Sequence, residues 1–305
     1  VGLPSQLKHG FLRQALADGL RFERNLGHNP YKFGIVGGAD IHSGYSGNEE
    51  FNYHGSHGNT DDTPKKRLDP AMQPSGVRGG IVSAAGTTAV WAEENTRASI
   101  FDAMRRKETY GTSGTLIRLR FFGGWSYPAD LTGRDDFVAT AYAGGVPMGG
   151  DLPAKPASAK APTFAVQALK DPASGNLDRI QIIKCCLDKR MGSSVERIYD
   201  VALSDGRTAA ADGTAPPVGN TVDVKTATYT NDIGDSQLSA VWTDPDFDPT
   251  RRAVYYVRVL EIPTPRWTTY DSVRNNLPLS KLVPATIQER AWSSPIWYTP
   301  AAPKD

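Results

Sequence analysis

The sequence predicts an α/β segment over residues 1–115 followed by an all-β sandwich over residues 116–305. Three observations predict it. First, Leu7, Phe11, Ala15 and Phe22, with Leu12, Leu16 and Leu20 beside them, recur at helical spacing. Second, an apolar run from Phe33 to Val36 breaks at Gly37 and Gly38 and continues into Asp40-Ile41-His42. A helix feeding a strand that ends in polar residues is half of a repeating α/β unit, whose functional groups gather at strand C-termini. Third, from residue 116 the pattern becomes short strands at 116–122, 163–169, 178–184, 195–203, 220–230, 238–242 and 253–262, separated by turns and with no helix among them.

The elements follow in order. The first helix stops at Gly27, reinforced by Asn29-Pro30. Residues 43–87 are rich in Gly, Asn, Asp and Pro without periodicity, which predicts a long loop of the lid or binding type carrying Glu49, Glu50, His54 and His57. Asn95 or Thr96 caps a helix whose buried face is Ile100, Phe101 and Met104, while Arg105, Arg106 and Lys107 complement its dipole. That dipole also accounts for Glu93 and Glu94. Tyr110 to Gly114 reads as a turn, because no Lys follows at phosphate-loop spacing. Asp244-Pro-Asp246-Phe-Asp248-Pro resembles half a calcium loop but lacks its Gly and distal Glu, so it reads as a Pro-bounded turn. The tail reads as an irregular strap packed by Trp267, Trp292 and Trp297.

A net charge of +1 gives no electrostatic reason to expect nucleic acid. No window approaches 18 consecutive apolar residues, so no transmembrane helix is expected. Cys185 and Cys186 are adjacent, which suits one buried and one outward thiol on a strand rather than a disulfide or zinc site. The chemistry-bearing stretch is Asp40-x-His42. At that spacing both side chains of an extended segment point the same way, so one strand end offers two metal ligands, although a polar capping role fits the same pattern. His54-x-x-His57 could place two imidazoles near a metal or phosphate, or simply be exposed loop histidines.

Longer blocks carry a resemblance. Asn29-Pro-Tyr-Lys-Phe-Gly, Gly38-Ala-Asp40-Ile-His42, Trp91-Ala-Glu-Glu-Asn-Thr-Arg97, Glu108-Thr-Tyr-Gly-Thr-Ser-Gly114, Gly145-Val-Pro-Met-Gly-Gly-Asp151 and Gln288-Glu-Arg-Ala-Trp-Ser-Ser-Pro-Ile-Trp-Tyr298 resemble the bacterial family catalogued as domain of unknown function 3604. That family resembles the polymerase-and-histidinol-phosphatase (PHP) metallohydrolases. The resemblance implies the C-terminal part of a distorted (β/α)7 barrel in residues 1–115, followed by the β-sandwich. It implies two or three divalent metal ions, zinc, manganese or iron, in the full-length protein, with Asp40 and His42 as ligands. It also implies hydrolysis of a phosphate ester or other small-molecule ester by a metal-bound hydroxide. The His-x-His motif with which family members begin is missing, so the chain reads as a C-terminal half. On that reading the remaining ligands come from an upstream fragment, and an apolar flank near residues 7–37 and 90–104 needs that fragment or self-association. Glu49, Glu50, His54 and His57 are substrate-side candidates. Many relatives are exported, which points to the periplasm or outside the cell, with the cytoplasm as the alternative. The competing function is a non-catalytic module binding a glycan or protein through exposed tryptophans of the β-domain.

Overall fold

The computed structural model describes residues 11–42, 44, 49–58, 61–71, 79–187, 194–210 and 213–301. Five helices are described: α1 (Leu12–Leu26), α2 (Pro64–Arg67), α3 (Arg97–Arg105), α4 (Phe137–Gly144) and α5 (Trp267–Arg274). Thirteen strands are described. They are β1 (Thr87–Val90), β2 (Thr109–Thr112), β3 (Arg118–Gly124), β4 (Gly145–Pro147), β5 (Thr163–Leu169), β6 (Leu177–Leu187), β7 (Ser194–Leu203), β8 (Gln237–Thr243), β9 (Ala253–Glu261), β10 (Thr264–Pro265), β11 (Thr286–Ile287), β12 (Arg290–Ser293) and β13 (Ile296–Tyr298).

Two antiparallel sheets share one core. The larger runs β1-β2-β12-β9-β6-β7, with β13 also on β9, and the smaller runs β4-β3-β5-β8. Alternation explains the layering. On β9, Tyr255, Val257 and Val259 face inward, where they meet Phe121 of β3 and Phe164 and Val166 of β5. Val254 and Tyr256 of the same strand face outward, onto Leu16, Ala17 and Leu20 of α1. Strands covered on both faces read as continuous apolar runs, which is why Ile180, Ile182, Ile183 and Cys185 on β6 are all buried. Burying Leu16 and Leu20 contributes about 2 kcal/mol each. On the opposite side, Phe137 and Ala141 of α4 cover Phe122 and Ala165 of the smaller sheet. The order across the molecule is helix, sheet, sheet, helix.

This corrects several expectations. Among the described residues there is no closed barrel, and every ladder in the sheets is antiparallel. A PHP-type barrel needs parallel strands joined by helical crossovers. Here β1 and β2 pair antiparallel with each other, and β2 continues the sheet through β12. Phe33–Val36 is not a strand. Residues 220–230 hold only an isolated bridge, Asp223 to Thr228. Helix α4 occupies the region read as helix-free, and α5 replaces part of the tail read as an irregular strap. Phe101 and Met104 of α3, read as buried, are 58% and 50% exposed, and only Ala103 of that helix is buried.

Other local readings hold. Gly27 ends α1 in the left-handed region at φ 81°. Thr96 caps α3 by accepting the N–H of Ser99. Cys185 is buried while Cys186 is half-buried. No described helix is long and apolar enough to cross a membrane.

Candidate functional site

Backbone packing positions the Asp40 segment. Residues 35–38 lie across β1 and β2 without joining their ladder. The Ile35 N–H donates to Ser294 Oγ at 2.7 Å, Thr109 Oγ1 donates to the Ile35 carbonyl at 2.8 Å, and the Gly86 N–H donates to the Gly38 carbonyl at 3.1 Å. Thr88 Oγ1 donates to the Gly37 carbonyl. The crossing requires glycine on both sides. A Cβ on Gly37 would stand 2.3 Å from the Thr87 carbonyl oxygen, and one on Gly111 would stand 2.6 Å from the Gly37 nitrogen. The segment is thus fixed by its backbone and by the buried Ile35 side chain, while Val36 and Asp40 stay exposed.

Asp40 and His42 come together at the end of that segment. Their closest oxygen and ring nitrogen, Oδ1 and Nδ1, are 3.7 Å apart, and the side chains are 98% and 55% exposed. His42 Nδ1 also lies 3.0 Å from the Asp40 carbonyl oxygen, and the His42 N–H donates to the Ser56 carbonyl at 2.6 Å. An oxygen and an imidazole donor at this separation fit two positions around a zinc, manganese or iron ion. His57 does not fit a third. Its ring stacks on His42 at 4.4 Å between centroids and 14° between planes, so the in-plane lone pairs of the two imidazoles run side by side instead of converging. Among the described residues no group of three or more His, Cys, Asp or Glu is arranged to hold a metal. His54 is exposed and its ring is not part of the His42–His57 stack.

Glu49 and Glu50 go elsewhere. Glu50 is 8% exposed, and its Oε2 accepts the Trp267 N–H at 2.5 Å, capping the start of α5. The loop around it is tied to the same helix. Arg67 donates to Asp271 at 2.9 Å and to the carbonyls of His54 and Asp61, while Tyr53 packs on Trp267 with centroids 4.6 Å apart. Thus residues 49–71, where described, pack on the C-terminal part of the chain.

Beneath this loop lies a carboxyl cluster that the sequence reading missed. Glu49, Glu50, Asp171 and Glu289 line one cavity with Tyr229 and Tyr270. Glu261 stands behind it, fully buried, accepting from Thr115 Oγ1 at 2.6 Å and from Ser174 Oγ at 2.5 Å. Burial pushes Glu261 up to about 7, against the pull of those two hydroxyls. Burial, with the Glu50 charge adding to it, pushes Glu289 up to about 8. Glu50 is raised too, chiefly by burial and against the Trp267 N–H. Asp171 accepts the backbone N–H groups of Leu116 at 2.7 Å and Ala173 at 2.9 Å. No local motif could have revealed this set, since its members come from a 3-10 turn, a β5–β6 loop and the borders of β9 and β12. The one sequence signal is Glu261, the last residue of a strand that is otherwise apolar except for Arg258.

The remaining candidates are structural. Ser99 Oγ accepts from the backbone of Glu93 and Glu94 ahead of α3. Asp244 pairs with buried Lys184 at 2.6 Å and accepts from Tyr255, while Asp246 accepts from Tyr199 at 2.7 Å. Trp267 and Trp297 are each 1% exposed, so they offer no face to a glycan.

Over residues 2–300 the chain matches the family described as a protein of unknown function, DUF3604. It belongs to that family. No curated protein and no solved structure matches it.

Proposed function

We propose that this member of the DUF3604 family is part of a divalent-metal-dependent hydrolase of the PHP type, acting on a phosphate ester or another small-molecule ester, with Asp40 and His42 as two metal ligands. The observation that carries the reading is the pairing of a carboxylate and an imidazole 3.7 Å apart on a backbone-pinned segment, with the carboxylate 98% exposed. Pinned backbone and free donors are what a ligand pair needs, because reorganisation on binding is then small. A bound cation supplies Lewis-acid activation of water near neutral pH.

The chain's own residues orient and hold. The Gly37–Gly111 crossing places Asp40 and His42. His57 restricts rotation of the His42 ring by stacking, and Ser56 Oγ, 2.9 Å from His57 Nδ1, leaves the other nitrogen of His57 available to a substrate proton. His54 remains a substrate-side candidate, whereas Glu49 lines the separate carboxyl cavity. Two donors fall short of the three protein ligands usual at a catalytic metal. The reading therefore assigns the rest to another polypeptide segment or a second copy. The exposed apolar residues Phe11, Leu12 and Val36 line a groove of about 350 Å³ beside α1 that offers a place for that segment, and Phe101 and Met104 of α3 are exposed as well.

The test is native mass spectrometry after equilibration with Mn²⁺ or Zn²⁺ and desalting, alongside hydrolysis of p-nitrophenyl phosphate. Retained metal, and activity where a partner is also retained, are the expected results, with both lost in Asp40→Ala/His42→Ala. Equal metal content in the wild type and the double variant overturns the assignment.

A further inference from the structure

The cavity beneath Glu50 has a volume of about 40 Å³, room for a few groups the size of a water molecule. Four carboxyl side chains and two tyrosines line it, and among the described residues no Lys or Arg does. Its most telling atom is Glu50 Oε1, which is buried and has no hydrogen-bond partner among the described residues. Leaving a buried acceptor without a donor is costly, so a donor entering the cavity is favoured.

We propose that this cavity is a binding site for the head group of a primary alkylammonium, held by the free oxygen of Glu50 and the carboxylate of Glu289 against the rings of Tyr229 and Tyr270. The lining excludes anions by charge. A metal ion is the poorer fit, since among the described residues no group of three or more His, Cys, Asp or Glu is arranged to hold one, and Asp171 already accepts two backbone N–H groups. An ammonium asks for less, three hydrogen bonds without fixed coordination geometry, and it gains from aromatic faces. The site is independent of the metal-ligand reading, because neither Asp40 nor His42 lines this cavity.

Charge linkage supplies a signature. The groups acting on the three glutamates are the backbone N–H groups of Trp267 and Ala84 with Arg266 on Glu50, then Glu50, Ser113, Glu261 and Arg290 on Glu289, and Ser174, Thr115, Asp171 and Lys170 on Glu261, with Tyr229 feeling both Glu261 and Asp171. With Glu289 raised to about 8, a share of the cluster is protonated near neutrality. An entering cation favours the ionised form and displaces a proton to the buffer.

Isothermal titration of ethylammonium chloride into the full chain at about pH 7.5, against sodium chloride at equal ionic strength, tests the proposal. Saturable binding is expected, with heats that change with the ionisation enthalpy of the buffer. Glu50→Gln should weaken binding about tenfold or more, and Tyr229→Leu roughly threefold to fivefold, each with unchanged far-ultraviolet circular dichroism. If Glu50→Gln does not fold, Tyr229→Leu and the buffer dependence carry the test. No saturable heat above the sodium control, wild-type affinity in the variants that fold, or saturation by Mg²⁺ but not ethylammonium overturns it.

Discussion

The Asp40–His42 pair and the Glu50–Glu261–Glu289 cluster handle ionisable groups in opposite ways. The first puts its donors in water on a rigid backbone, so side-chain identity there costs the fold almost nothing. The second buries its carboxyls, and burial has pushed Glu261 to about 7 and Glu289 to about 8. The difference teaches where each site's chemistry resides. At the surface pair it resides in residue type and in what docks on it. In the cavity it resides in the surroundings, because the same carboxyls in solvent would be plain anions.

The largest expected contrast is in pH dependence. The folded-state pKa values of Glu261 and Glu289 lie above the ordinary 4.5. Their favourable contribution is therefore complete below about pH 4.5 and is lost as pH rises through about 7 and 8. Thermal melts should show a Tm falling from about pH 5 to about pH 8 and levelling off above that, with several kcal/mol lost. Glu289→Gln should flatten that fall, and an unchanged slope would break the comparison. Next comes the backbone crossing. Gly111→Ala drives a methyl to 2.6 Å from the Gly37 nitrogen and should cost about 2–3 kcal/mol in urea denaturation. Gly38→Ala, with nothing within 4 Å, should stay within about 0.5 kcal/mol. The smallest effect is expected at the surface pair. Asp40→Asn should leave stability within about 0.5 kcal/mol while lowering metal retention, and a large loss of stability would show that the carboxylate is structural.

Much of the fold was legible in residue order, and the failures share a cause. The span of β5 was read to the residue, and the left-handed stop at Gly27 and the Thr96 cap were read from local chemistry. Helix α5 was missed because Trp267-Thr-Thr-Tyr is a poor helix former, and its stability comes from distant groups, the Glu50 carboxylate at its start and Arg67 on Asp271. Phe33–Val36 looked like a strand because its composition is that of one. Its backbone at Ile35 is instead held by the hydroxyls of Ser294 and Thr109, which no strand pattern encodes.

The sequence by itself determined the periodic elements, the caps and the presence of an oxygen and a nitrogen donor two residues apart, since each of these depends on neighbours along the chain. Only the tertiary structure decided that α1 lies on the outer face of the larger sheet, that Trp267 and Trp297 turn inward, and that glutamates 50, 261 and 289 converge beside Asp171. Desolvation is a property of everything packed around a group, and for these carboxyls that surrounding is assembled from residues 50 to 289.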